Sequence, residues 1–183
     1  MTNARVVLSI SGAAAVVLAL LLGPLHVGAQ TQLSSPLGNG SAGVPAGSGA
    51  GVHSPNSPIA PLVARSDVLP WSMLTDVKTK TVKNRILPVF TPQLQALNQK
   101  SQRIQGFMMP LDPGEKQKHF LISSVPLTCS FCLPGGPESM VEVRTKTPVT
   151  YSLEAVVVEG RFAVLADDPY GMYYRMTDAV AVK

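Results

Sequence analysis

The second half of the chain alternates apolar and polar positions with the two-residue period that is typical of β-strands. Short β-branched or alternating runs, separated by Gly, Pro and Asp, recur from residue 103 onward. The predicted strands cover residues 103–109, 119–123, 140–143, 153–158, 161–165 and 173–182. Gly160 separates two of these runs, which form either a hairpin or one long strand bent at a bulge.

A single short helix is predicted before these strands. Thr91 is a good N-cap residue, Pro92 suits the first helical position, and the helix formers of residues 93–97 follow. About five short strands in a small domain cannot bury both faces as a flat sheet, so we expect them to close on themselves. The predicted fold class is mainly β: a small OB-like β-barrel of about five strands with one short helix.

The N-terminal region has the pattern of an export signal. Arg5 is followed by the apolar run of residues 6–22, a Gly-Pro break and the small-residue sequence of residues 27–29. Residues 1–29 are therefore predicted to be a signal peptide or, since the run is almost long enough to cross a bilayer, an N-terminal anchor. No cysteine precedes Cys129, which excludes a lipid-bearing cysteine near the signal.

Composition and charge divide the remainder of the chain. Residues 30–66 are dominated by Gly, Ser, Pro, Ala and Asn and are predicted to be a disordered linker, with a folded domain over residues 67–183. From Asp67 onward the chain has 13 basic and 11 acidic residues, and aromatic residues make up 5% of the whole. This near-balance and the scarcity of stacking side chains argue against nucleic-acid binding.

The two cysteines of the chain form the most informative motif. Cys129 and Cys132 follow a predicted strand and precede a Pro/Gly-rich run over residues 133–137. In an exported protein such a pair forms a disulfide that staples the loop, or binds a soft metal ion through two thiolates. A thioredoxin-type reaction is less favoured, because the run after the motif cannot continue as the helix that would lower a thiol pKa.

A metal site needs further ligands beside the two thiols. His119 is the predicted third ligand, since it begins the strand that leads to the motif. The thioethers of Met108, Met109 and Met140 would suit Cu(I), so the cofactor is expected to be Zn or Cu. No complete catalytic constellation is present, and the paired Asp167 and Asp168 before a proline indicate a turn rather than an acid–base site.

Several motifs together resemble an uncharacterised family of exported bacterial proteins. They are Trp71-x-x-Leu74, the Gly-Phe-Met-Met-Pro-Leu run of residues 106–111 and Cys129-x-Phe131-Cys132-x-Pro-Gly-Gly. The resemblance covers roughly residues 70–182. It implies no enzyme activity, and it implies an association with ABC-type transporter subunits, beside which some members are encoded.

The sequence therefore predicts a non-enzymatic accessory protein outside the cytoplasm. It is expected to be periplasmic or secreted, or held at the inner membrane by its N-terminal segment, and to contact the membrane only there. Its predicted partner is an ABC-type transporter or another envelope protein, and its predicted metal ligands are Cys129, Cys132 and His119. A disulfide-stapled interaction module and a thiol–disulfide oxidoreductase are the alternatives.

Overall fold

The computed structural model describes residues 49–182. The predicted export signal and most of the predicted linker, residues 30–48, lie outside this range. Within it, no helix combines the length and the apolar character needed to cross a membrane. The described residues form two short α-helices and seven strands: α1 (Trp71–Leu74), β1 (Val77–Val82), β2 (Arg85–Phe90), α2 (Pro92–Ala96), β3 (Ser101–Pro110), β4 (Lys116–Ser123), β5 (Met140–Thr150), β6 (Val156–Val164) and β7 (Tyr174–Val182).

Five strands close into a barrel in the order β3-β4-β5-β7-β6. All neighbouring pairs are antiparallel except β5 and β7, which run parallel. Closure removes the free sheet edges that a small domain would otherwise expose. The prediction of a mainly β protein with a small OB-like barrel of about five strands is confirmed.

The core is formed by the apolar positions that alternate along the barrel strands. Phe162 of β6 and Tyr174 of β7 are fully buried, and their rings stack with centroids 5.4 Å apart. The Tyr174 hydroxyl donates a hydrogen bond to the Leu74 carbonyl at 2.5 Å, which ties α1 to the barrel. Leu94 of α2 is also fully buried, so each short helix contributes one side chain to the core.

The predicted helix start at Thr91 and the predicted bend at Gly160 are both present in the structure. The helix predicted after Thr91 spans Pro92–Ala96, and the Thr91 hydroxyl accepts the backbone N–H of Leu94. The two runs on either side of Gly160 form one strand with a register shift between Glu159 and Arg161. A Cβ at position 160 would lie 2.8 Å from the Thr177 carbonyl oxygen, so only glycine allows β7 to approach this closely.

A helix and a hairpin were missed from the sequence. Helix α1 precedes the single helix that was predicted, and its four residues are too few to show a helical period. Strands β1 and β2 form a separate two-stranded sheet outside the barrel, joined by Lys83 and Asn84, which both have positive φ. Their residues are mostly exposed on both faces, so the apolar alternation that identifies a half-buried strand is absent. The strands predicted from the sequence therefore begin with β3 and omit β1 and β2.

Candidate functional site

The Cys-x-x-Cys motif lies in the connection between β4 and β5, at the end of the barrel where β4 finishes. A tight turn places its two cysteines together: the N–H of Cys132 bonds to the carbonyl of Cys129 at 3.2 Å. Both thiols are free and buried, at 8% and 7% exposure, while Ser130 and Phe131 between them are exposed. The turn therefore directs the two sulfur atoms inward and the intervening side chains outward.

The environments of the two thiols differ. Burial by itself raises the pKa of Cys129, but hydrogen bonds from the Cys132 thiol, the Ser57 hydroxyl and the backbone N–H groups of Phe131 and Cys132 outweigh it and lower that pKa. Burial raises the pKa of Cys132, and the proximity of Cys129 raises it further. Cys129 is thus the thiol that becomes a thiolate first.

The hydroxyl that assists Cys129 comes from an upstream segment, residues 49–57, which we call the strap. Val52 and Leu133 exchange both backbone hydrogen bonds, at 2.8 and 2.9 Å, and Ser57 Oγ lies 3.3 Å from Cys129 Sγ. At Gly135 an added Cβ would collide with the carbonyl oxygen of Gly49, so the two backbones are in close contact. The strap covers the thiol pair.

The strap falls within residues 30–66, which the sequence predicted to be a disordered linker. In the part of that range that the structure describes, residues 49–57 are bonded to the cysteine loop. The physical reason is that the strap binds through backbone groups, and Gly51, with a φ of +74°, lets it pass against the loop. A Gly/Ser-rich composition does not reveal contacts of this kind.

The structure does not bring His119 to the two cysteines. His119 lies on β4, four residues before the strand ends at Ser123, which is about 13 Å along an extended chain. Its Nε2 is 2.8 Å from the Glu142 carboxylate on β5. The predicted third ligand therefore belongs to a different cluster, and the metal hypothesis depends on Cys129 and Cys132 without it.

Glu142 is the centre of that second cluster. Its carboxylate, 8% exposed, accepts hydrogen bonds from Arg175 at 2.6 Å and from Arg144 at 3.1 Å, in addition to its contact with His119. Burial raises the pKa of Glu142, but these donors more than compensate and leave the pKa below its ordinary value. Asp168 also pairs with Arg175, at 3.0 Å. The cluster joins β4, β5 and β7 by charge on the outside of the barrel.

Asp167 and Asp168 behave as the sequence indicated. The Asp168 carboxylate accepts the backbone N–H groups of Tyr170 and Met172, at 2.9 and 3.3 Å, which is the hydrogen bonding of a turn. Asp167 forms a salt bridge with Arg85 of β2.

The other predicted donors are dispersed. Met108 is buried in the core and Met109 is 39% exposed on β3. Met140 is half-buried at the start of β5, opposite Ser123. No group of three or more His, Cys, Asp and Glu side chains is arranged to hold a metal ion within residues 49–182. The candidate site is therefore built on the dithiol: two sulfur donors in a tight turn beneath the strap.

Sequence reasoning gave no role to His53, which the strap brings close to the loop. Its ring stacks on Phe107 of β3 with centroids 6.3 Å apart, and its Nε2 is buried without a hydrogen-bond partner. His53 follows Val52, whose bridge to Leu133 fixes the position of the strap. No pattern in the sequence connects residue 53 with residues 107 and 133.

We expect Ser57→Ala to raise the pKa of Cys129 and to slow its alkylation at neutral pH, because the variant removes one of the donors to the thiolate. The measurement is the pH dependence of iodoacetamide labelling, followed by mass spectrometry of the peptide that carries Cys129. Ser130→Ala is the matched control, since Ser130 is exposed. Equal labelling profiles for the two variants would show that Ser57 does not influence the thiol.

The fold and the site define a class: a small OB-like β-barrel protein with a Cys-x-x-Cys loop covered by an upstream strap. The chain belongs to the family described as "Protein of unknown function (DUF3299)", whose model matches residues 70–178. No curated protein matches the chain significantly. A similar solved structure is that of a DUF3299 family protein from Pseudomonas aeruginosa PAO1, with 22% identity and a TM-score of 0.38 over 52% of this chain and 68% of that one.

Proposed function

We propose that this protein is a non-enzymatic accessory protein outside the cytoplasm that binds one soft transition-metal ion through Cys129 and Cys132. The observation that carries the proposal is the pair of free, adjacent thiols in a tight turn, one of which is surrounded by hydrogen-bond donors. Metal binding requires thiolates, so a lowered pKa at Cys129 favours it near neutral pH. The export pattern of residues 1–29 supports the location.

The donor set favours Cu(I) over Zn(II). Structural Zn(II) is almost always bound by four protein ligands, whereas two thiolates supply the soft donors that select Cu(I). Among residues 49–182 no third charged or imidazole ligand joins the two sulfur atoms. Both cysteines are less than a tenth exposed, and this burial would shield a bound Cu(I) from solvent. The proposed role of the protein is to deliver the bound Cu(I) ion to an ABC-type transporter or to another envelope protein.

The test is an anaerobic titration of the reduced, exported protein with Cu(I) against a chromophoric chelator. We expect about one Cu(I) per chain in the wild type, and no binding in the Cys129→Ser, Cys132→Ser double variant, since thiolates are its soft ligands. Met109→Leu is the control, because it removes an exposed thioether on the barrel.

The two variants and the wild type together decide the proposal. Circular dichroism must show that the double serine variant retains its strands. Binding that survives the loss of both thiols would contradict the proposal, and so would the absence of binding in the wild type. Binding lost equally in Met109→Leu would place the metal elsewhere.

A second candidate is the disulfide-stapled interaction module, which the proximity of the two sulfur atoms also favours. Cys132 hydrogen-bonds to Cys129, so a disulfide would need little movement. For so short a loop the bond would stabilise the fold by about 2 kcal/mol. Mass spectrometry of protein trapped in its native compartment discriminates the two: complete oxidation that resists mild reductant supports the staple, and free thiols support the metal site.

A further inference from the structure

The hairpin formed by β1 and β2 stands apart from the barrel. Its strands pair only with each other, and every residue from 78 to 86 is exposed. Its base is held by Pro88 and Phe90, which are buried, and beside the turn Arg85 donates a hydrogen bond to the Asp168 carbonyl at 3.4 Å. Two-stranded ribbons are marginally stable on their own, so a projecting hairpin of this length suggests a surface to which it binds.

The hairpin carries an excess of positive charge, whereas the remainder of the folded part of the chain does not. Residues 77–90 contain four of the 13 basic residues found from Asp67 onward and none of the 11 acidic ones, so the remainder is slightly acidic. Arg85 is paired with Asp167. Lys78, Lys80 and Lys83 form no salt bridge with any residue in the described range. Three free cations therefore project on one thin ribbon.

Apolar side chains are exposed among these cations near the turn. Val82 is 41% exposed and lies opposite Arg85, on the same face as Lys80. Ile86 is 68% exposed and lies opposite Thr81, on the other face. The tip thus presents aliphatic groups on both faces, with lysine ammonium groups beside them.

We propose that the tip of this hairpin is a binding surface for anionic phospholipid. Lysines attract the phosphate groups of a negatively charged membrane, and exposed aliphatic side chains gain energy by leaving water among the headgroups. The lysines supply the charge that complements an anionic surface, and Ile86 on the face opposite Arg85 is free to enter the headgroup region, while Arg85 itself is held by Asp167. The proposal is independent of the metal site and extends the expected membrane contact beyond the N-terminal segment.

The test uses the exported protein with Ile86→Trp as a probe placed at the tip. On mixing with vesicles of phosphatidylcholine and phosphatidylglycerol, we expect its fluorescence to shift to shorter wavelength, with no shift on pure phosphatidylcholine. Because the signal arises at the tip, binding through the N-terminal segment does not produce it. Trp71 alone, in the unmodified protein, supplies the background.

Charge variants in the Ile86→Trp background complete the test. Lys80→Gln with Lys83→Gln should weaken the shift about 30-fold in apparent affinity, since each lysine near an anionic surface contributes about fivefold. Lys116→Gln with Lys118→Gln, the same charge change at exposed positions of β4, should leave it unchanged. Equal weakening by both pairs, a shift on neutral vesicles or no shift at all would overturn the proposal, and the last of these would favour an acidic protein partner.

Discussion

Phe162→Ala should lower the free energy of unfolding by about 3–5 kcal/mol, the usual cost of removing a buried aromatic ring from a core. Phe162 is fully buried on β6, and its ring stacks on Tyr174 of the neighbouring strand β7. Truncation leaves a cavity where these two strands meet. For a domain whose total stability is on the order of 5–15 kcal/mol, this is a large fraction.

Urea unfolding followed by far-ultraviolet circular dichroism measures this loss. Phe131→Ala is the matched control, because the same ring is 60% exposed between the two cysteines. We expect the control to change stability by less than about 0.5 kcal/mol, as is usual for surface substitutions. A similar loss in both variants would mean that Phe162 does not lie in the core of a closed barrel.

Glu142→Gln should destabilise the protein by about 1–3 kcal/mol at neutral pH, the usual cost of leaving buried hydrogen-bonding groups without their partner. The substitution removes one of the two carboxylates that pair with Arg175, which keeps Asp168 at 3.0 Å, and it weakens the contact with His119 Nε2. Arg144 is largely exposed and regains water, which limits the loss. The matched control is Glu154→Gln, at an exposed position of the loop before β6.

The same variant makes a prediction about pH. The pKa of Glu142 in the folded protein lies below its ordinary value of 4.5, so its stabilising effect is complete above that value and is lost as the pH falls through the folded pKa. Wild type and Glu142→Gln should therefore converge in stability in acid. The residual acid sensitivity of the variant should come in part from Asp168, whose pKa is also lowered. A constant difference between the two proteins at all pH values would exclude an ionic role for Glu142.

The barrel was predictable because its strands are buried on one face. Runs such as residues 103–109 and 119–123 alternate, and Gly160 marked the bend of β6. The β1–β2 hairpin was not predicted, since lysine and threonine alternate along β1 and every residue after Val77 in that strand is exposed. Periodicity reports burial, and an element that projects into solvent does not produce it.

The candidate site was predictable only in part. Spacing along the chain placed Cys129 and Cys132 together, as the structure does. Spacing along the chain could not show that His119 lies away from the cysteines and contacts Glu142 instead. That contact depends on the pairing of strands β4, β5 and β7, which bring His119, Glu142 and Arg175 together. The contribution of Ser57 depends on a backbone contact between the strap and the loop, more than 70 residues apart in sequence. Composition does not encode that contact.

The most direct test of the account is X-ray absorption spectroscopy at the copper edge of the Cu(I)-loaded, exported protein. We predict a first coordination shell of two sulfur atoms and no nitrogen, because Cys129 and Cys132 are brought together without His119. A shell that contains nitrogen or oxygen donors in place of the two sulfurs would contradict the proposed site.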